Sequence, residues 1–315
     1  MATDLVDQAG LERAVERHRR ELHVHCYRLL GSFEEAEDAV QDAIVRAWVN
    51  RASFDRGDNL RAWLYRIATN VCLDELRRRK RTPQIHSLAD TPWLQPYPDH
   101  LLDALAPSER TPDEIVAARD TIELAFVAAL QLLPAQQRAV LIMRDVIGWS
   151  AAEAADILDT SVPAVNSALQ RARATMQRHR PEPDNERRAG LSAEERALLG
   201  RYIALHENPD PAAMAALVRD DVRVTMPPQP ICFEGWEALA PLHEKAFGPG
   251  GLGEWKLLPT SVNRMPAAAC YLRPPGEERF KAFKLDVLRV EDDLVAEITT
   301  FERVVFAWLD LPLEL

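Results

Sequence analysis

The chain has 315 residues, room for two or three domains of roughly 100 to 200 residues each, and its 47% hydrophobic and 28% charged side chains exclude wholesale disorder. A formal charge of -11, from 49 acidic and 38 basic residues, excludes a protein that holds nucleic acid by bulk attraction, so any DNA contact must be local. No run of about 18 apolar residues occurs, and the start MATDLVDQAG has neither basic flank nor apolar stretch, which predicts no membrane span, no secretory signal and a cytoplasmic protein. Cys26, Cys72, Cys232 and Cys270 lie too far apart for a zinc CxxC pair or a disulfide framework, and are expected to be buried thiols.

Two breaks divide the chain. Residues 83–112 hold six prolines, which remove the backbone donors that helices need and predict a linker. A second break, Arg180-Pro-Glu-Pro-Asp-Asn-Glu-Arg187, follows a long helical pattern and again pairs proline with charge. The expected pieces are 9–82, 113–180 and 190–315. Residues 1–82 carry 15 basic against 14 acidic side chains and residues 113–180 carry 7 against 8, whereas residues 181–315 carry 15 against 23. The acidity is concentrated in the last piece, which suits either a different partner or a merely soluble surface.

In the first piece, Leu11, Val15, His18, Leu22, Cys26 and Leu29 recur at helical spacing, and Gly31-Ser32 separates this helix from the next. The second helix buries Ala36, Val40, Ala43 and Ala47 and turns Glu35, Asp38, Asp42 and Arg46 outward. After a polar turn at residues 51–59, a third helix faces Leu60, Leu64, Ile67 and Val71 inward and ends in Arg77-Arg78-Arg79-Lys80-Arg81. Five consecutive cations suit the negative end of a helix dipole. They equally suit phosphates, and Trp63, Tyr65 and Asn70 on the same helix add the stacking surfaces that single-stranded nucleic acid requires.

The middle piece shows stripes at Ile122, Phe126, Ala129, Leu133 and at Val140, Met143, Ile147, with Pro134 opening the second helix and Gly148 closing it. Ser150 and Glu153 form a capping box for residues 151–158. A turn at Asp159-Thr160-Ser161 leads to a helix with Val162, Val165, Leu169, Ala172 and Met176 inward. Asn166, Gln170, Arg171 and Arg173 then fall on exposed or flanking positions. Two short helices joined by a turn, the second carrying amides and guanidinium groups, fit a major-groove reader or a plain helical hairpin with a polar face.

Glu34-Glu-Ala-Glu-Asp-Ala-Val-Gln-Asp-Ala-Ile-Val-Arg-Ala-Trp48 and Leu60-Arg-Ala-Trp-Leu-Tyr-Arg-Ile-Ala-Thr-Asn70 resemble region 2 of extracytoplasmic-function (ECF) sigma factors of RNA polymerase. Leu133-Pro-Ala-Gln-Gln-Arg-Ala-Val-Leu141 and Ser161-Val-Pro-Ala-Val-Asn-Ser-Ala-Leu-Gln-Arg-Ala-Arg173 resemble region 4 of the same family, with a Pro-rich linker between. The resemblance implies that Asp38, Gln41 and Asp42 grip the large polymerase subunit. It implies that Phe54, Asp55, Asn59, Trp63, Arg66 and Asn70 serve the -10 element, where a base is flipped at a cost of a few kcal/mol. Arg77, Arg78, Arg79, Lys80 and Arg81 would hold phosphates nearby. It further implies that Ser161, Pro163, Ala164, Asn166, Ser167, Gln170, Arg171 and Arg173 enter the -35 major groove. Asn166 and Ala168 depart from the family, many members of which carry Lys and Arg there.

The last piece reads as helices at Leu198–Leu205 and Ala212–Leu217, a strand at Val222–Met226, a helix at Trp236–Phe247, and strands at Ala268–Leu272, Phe280–Arg289 and Leu294–Phe301. This predicts an α+β sheet curled over helices. Pro211 to Pro228, together with Phe301, resembles the SnoaL-like polyketide-cyclase family, a cone around a pocket. Asp221, His243 and Asp286 are its ionisable candidates, Asp286 being expected in a surface or capping role, and Trp236, Trp255 and Trp308 are expected core aromatics.

The fold expected is therefore multidomain: an all-α three-helix bundle of sigma region 2, an all-α helix-turn-helix of sigma region 4, and an α+β SnoaL-like cone. The function expected is a bacterial alternative sigma factor that binds core RNA polymerase and promoter DNA at the -10 and -35 elements, with a regulatory C-terminal domain and a small-molecule ligand there. No catalytic residue, cofactor, metal or membrane partner is expected. A helix-turn-helix repressor and a cyclase-like enzyme tethered to a DNA-binding module are the alternatives, the first having no need of the Glu34–Trp48 motif.

Overall fold

Gly31, at a φ of +77° that a side chain would resist, ends the first helix, and Ser32 starts the second by accepting a hydrogen bond from the Glu35 amide at 3.3 Å. This pair fixes α1 (Gln8–Leu30) against α2 (Phe33–Val49), and α3 (Leu60–Arg78), capped by Asn59, closes the bundle. The computed structural model describes residues 8–54, 59–79, 93–103, 121–179 and 191–315. Leu22, Cys26, Leu29, Ala36, Val40, Ala43, Leu64 and Val71 are buried as their spacing predicts, whereas His18 stays half-exposed in an ion pair with Glu21.

The described chain forms two units. The first contains residues 8–54, 59–79, 101–103 and 124–179; the second contains 93–100, 121–123 and 191–315. In the first unit, α4 (Leu124–Gln131) and α5 (Ala135–Leu141) follow the three-helix bundle, and α5 runs on into a π turn at Ile142–Val146. The Ser150–Glu153 capping box then opens α6 (Ala151–Ile157), which is followed by α7 (Val162–His179). Val165, Leu169, Ala172 and Met176 of α7 are buried, but Val162 is exposed, contrary to the predicted stripe.

The second unit folds α8 (Ala193–Glu207), α9 (Pro211–Leu217) and α10 (Trp236–Phe247) against a six-stranded sheet. Its strands are β1 (Val218–Met226), β2 (Gln229–Glu234), β3 (Glu254–Val262), β4 (Met265–Arg273), β5 (Lys281–Glu291) and β6 (Leu294–Glu302), in spatial order 2-1-6-5-4-3. β1 and β6 pair in parallel and the remaining neighbours are antiparallel. β2 and β3, absent from the sequence expectation, are the two edges, and each carries a proline (Pro230, Pro259), which only an edge tolerates well. Leu198, Tyr202, Met214 and Leu217 pack on Val224, Leu257, Leu288 and Ile298 to make the core. Cys232 lies exposed on β2, correcting the expectation of four buried thiols; Cys26, Cys72 and Cys270 are buried.

Residues 93–100, expected to be plain linker, fold into the second unit. Leu94, Pro96, Tyr97 and Pro98 are buried, and Pro98 bridges to Val262. Asn263 and Arg264, both at positive φ, turn β3 into β4. At this turn the Tyr97 amide donates to Asn263 Oδ1 at 2.6 Å, the Asn263 amide donates to the Tyr97 carbonyl at 2.9 Å, and Asn263 Nδ2 donates to the Ile122 carbonyl at 2.6 Å. One buried amide thus holds both ends of the interval between the two helical modules.

Candidate polymerase and promoter interfaces

The α2 helix presents Asp38, Gln41 and Asp42 to solvent on the face opposite its alanine stripe. Gln41 Nε2 donates to Glu37 at 3.1 Å. Burial pushes the Glu37 carboxyl up, but the hydrogen bond from Gln41 and the Arg19 cation outweigh it and hold the group below the usual range. Val45 and Val49 continue this stripe, 61% and 68% exposed. The sequence reading missed them; their signal was two β-branched apolar residues at positions four and eight beyond Gln41, outside the alanine face.

Of the residues expected at the -10 element, Phe54 and Trp63 meet at a tilt with ring centroids 5.2 Å apart, and Arg66 and Asn70 are exposed on α3. Asn59 caps that helix, its Oδ1 accepting from the Arg61 amide at 3.0 Å. Asp55, Lys80 and Arg81 lie outside the described residues. The rest of the cationic run is locally neutralised rather than free. Arg77 pairs with Asp74 at 2.9 Å, Arg78 with Glu75 at 3.0 Å, and Arg79 is tucked in against Glu35 and the Leu30 carbonyl. Burial lowers the Arg79 pKa to about 10.

On α7, Ser161 at its start and Pro163, Ala164, Asn166, Ser167, Gln170, Arg171 and Arg173 are all exposed on one side. Arg171 pairs with no carboxylate among the described residues, but Arg173 makes a two-bond ion pair with Asp145, at 2.8 and 2.7 Å. That hydrogen-bonded carboxylate raises the Arg173 pKa. Ala168 is buried, so this position is turned away from the exposed face.

The two helical modules touch directly. Trp149, ahead of α6, meets the Tyr65 ring edge-on with centroids 4.8 Å apart, and the Arg61 guanidinium lies 5.7 Å from the Trp149 ring. Arg138 of α5 is buried and donates to the Leu29 carbonyl at the end of α1, to Gln131 Oε1 at 2.5 Å, and to the Gln131 and Leu133 carbonyls at 3.0 and 3.1 Å. A cation at the carbonyl end of a helix opposes the helix dipole. Burial still lowers the Arg138 pKa to about 9.

The family models for Sigma-70 region 2 and Sigma-70 region 4 match residues 14–82 and 123–176. Across 98% of its length the chain is 38% identical to the ECF RNA polymerase sigma factor SigG of Mycobacterium tuberculosis, covering 88% of that protein. The chain is an ECF RNA polymerase sigma factor. Bacillus subtilis SigW, another member, is 31% identical over 55% of this chain and 89% of its own length, a match too short to include all three pieces. The crystal structure of the Mycobacterium tuberculosis extracytoplasmic function sigma factor SigJ superposes with a TM-score of 0.64 at 22% identity, covering 96% of this chain and 99% of that one, so the fold extends through the C-terminal domain. As an alternative sigma factor, the protein binds core RNA polymerase and promoter DNA and acts in transcription initiation. Among the described residues, no helix is long and apolar enough to cross a membrane.

The C-terminal α+β domain of this sigma factor scatters the three ionisable candidates. Asp221 is exposed and paired with Arg219 at 2.7 Å. His243 lines a pocket, and burial lowers its pKa. Asp286 is fully buried, correcting the surface or capping role expected for it. It accepts from Tyr202 Oη at 2.9 Å and Thr300 Oγ1 at 2.7 Å, faces Lys284 Nζ at 2.7 Å, and has Cys270 Sγ at 3.4 Å. Burial pushes its carboxyl up, but Lys284 and the other donors win and hold it below the usual range.

Proposed function

We propose that the C-terminal domain regulates this sigma factor by controlling the reach of its linker, and that the exposed residues above are its working contacts. Asp38, Gln41 and Asp42, joined by Val45 and Val49, would meet the polymerase. The Phe54–Asn70 surface and the Arg77–Arg81 run would serve the -10 element, and the exposed side of α7 the -35 element. The supporting observation is the Asn263 side chain, which binds residues 97 and 122 at one point. With that hold in place, about 18 residues separate Arg79 from Tyr97, a fully extended reach of at most about 63 Å. The -10 and -35 elements are about 25 base pairs apart, or about 85 Å at 3.4 Å per pair. A compact unit of about 150 residues has a radius of gyration of about 15 Å, so the two helical modules in contact cannot read both elements together. Once the modules part, releasing the linker lengthens the free tether between Arg79 and Leu124 from about 18 to about 45 residues, which spans the two elements with slack.

We also propose that the domain does no chemistry and that the protein works in the cytoplasm, where it meets polymerase. Asp286 is the only one of the three candidates buried among donors, and a carboxylate satisfied on both oxygens is a weak proton acceptor. Gel filtration with core polymerase tests the residue assignment. Asp38→Arg combined with Gln41→Ala, both on an exposed face, should abolish holoenzyme formation with less than about 0.5 kcal/mol change in stability. Normal association would refute it.

A further inference from the structure

In the sheet of the second unit, β6 stops short of its neighbour. Its last pairing with β5 is Glu302 with Lys284, whereas β5 continues past that point through Ala282 and Lys281, which pair with Tyr271 and Leu272 of β4 on the other side. Residues 313–315 fill the slot that β6 leaves open. The Ala282 amide donates to the Leu313 carbonyl at 2.8 Å, the Leu315 amide donates to the Phe280 carbonyl at 2.9 Å, and Glu314 lies opposite Lys281 in an antiparallel bridge. Glu314 also pairs with Arg279 at 3.0 Å. Between β6 and this short strand, the 3-10 turn Arg303–Ala307 is anchored by the buried Val305 and Phe306, the Phe306 ring meeting Tyr271 edge-on with centroids 5.6 Å apart. Trp308 and Asp310 are therefore strung between two fixed points, and both reach the linker. Trp308 Nε1 donates to the Pro96 carbonyl at 3.4 Å, and Asp310 Oδ2 lies 3.7 Å from His100 Nε2.

We infer that residues 308–315 form a strap over linker residues 96–100, and that the pairing of 313–315 with β5 sets how firmly the strap holds. Its two anchors are unequal. Phe306 is buried in the domain, whereas the short strand is held by two backbone bonds and an ion pair between exposed side chains, with Leu313 and Leu315 exposed as well. A segment with so few buried apolar contacts opens at the low end of the range of local stabilities, and an exposed ion pair adds little to it. When 313–315 lift, Trp308 and Asp310 lose the fixed point beyond them and with it their grip on Pro96 and His100. The linker is then held from one side, by Asn263 at Tyr97, Val262 at Pro98 and the Arg264 amide at Asp99. The strap thus adds a second, weaker hold to the one at Asn263. Its effect on transcription rests on the regulatory reading; its hold on the linker does not.

The test is amide hydrogen exchange on the full chain, followed by mass spectrometry in fragments that contain residues 94–99, where the Tyr97 amide reports the linker's hold. Arg279→Glu and Glu314→Arg each set like charges against one another on an exposed surface, and each should speed exchange at residues 94–99 by about twofold to fivefold. Combining the two substitutions restores an opposite pair and should slow exchange again below either single variant, a rescue that a general loss of packing would not show. Leu315→Pro removes the amide that bonds to Phe280 and should speed exchange at least as much; if circular dichroism shows it unfolded, the charge exchange decides alone. Exchange at residues 94–99 unchanged in the folded single variants, or no slower in the combined variant, would overturn the strap. Promoter-selective transcription by the reconstituted holoenzyme should rise in the variants that speed exchange. Faster exchange with unchanged transcription would leave the strap standing and overturn the regulatory reading instead.

Discussion

Replacing Trp149 by alanine should open the contact between the two helical modules without unfolding either. Tyr65 keeps its hydrogen bond to Glu21 at 3.2 Å, and Arg61 keeps its ion pair to the same carboxylate at 2.8 Å, so α3 retains its anchors. What disappears is an edge-on ring pair worth about 0.5 to 1.5 kcal/mol beyond its buried area and a cation–π contact of about 0.5 to 1 kcal/mol. A loss of about 2 kcal/mol changes the closed-to-open ratio by about 30-fold. If the closed form is favoured about 100-fold, the open fraction rises from about 1% to about 23%. Single-molecule energy transfer between dyes on Gln41→Cys and Gln170→Cys reads this directly, in a Cys232→Ser background because Cys232 is exposed. The open population should grow, and affinity for core polymerase with it. An unchanged distribution with unchanged affinity would refute the idea that Trp149 holds the modules closed.

Arg171→Ala should flatten the salt dependence of promoter binding by about 0.9, the share of one phosphate contact. Arg173→Ala should flatten it less, because Asp145 already occupies that guanidinium; equal slopes in the two variants would contradict this. Acid should destabilise the first unit through His25, which is buried against Thr69 at 2.8 Å and lowered by burial to about 3. Above pH 6.5 its contribution is fully present; as pH falls toward 3 the unfolded chain takes up a proton that the folded chain refuses, and about 1.4 kcal/mol is lost per pH unit. His25→Gln should therefore remove one proton from the acid limb of urea-unfolding stability, and an identical pH slope in both proteins would exclude the effect.

Helix periodicity was legible because alanine and leucine repeats survive tertiary packing: the α2 stripe and the Ser150–Glu153 capping box appear where they were expected. The edge strands were hidden by Pro230 and Pro259, since proline marks a strand edge and a loop alike. Long-range pairings left no local trace. Arg173 looked free because Asp145 is 28 residues away, and Asp286 looked superficial because Tyr202, Cys270 and Thr300 reach it from α8, β4 and β6. The prolines of residues 83–112 predicted a linker, and they concealed that Leu94 and Tyr97 among them are apolar enough to be buried. The π turn after α5 has no sequence signal that we can identify.

We propose that Asn263 restrains the sigma factor through its linker. Asn263→Gly removes the side-chain hydrogen bonds to Tyr97 and Ile122 while tolerating the positive φ of 53° at that turn. Core polymerase reconstituted with equal concentrations of folded wild-type or Asn263→Gly protein should then be compared in promoter-selective transcription. Transcription should be higher from the variant, and transcription equal to or below wild type would refute a restraint by Asn263.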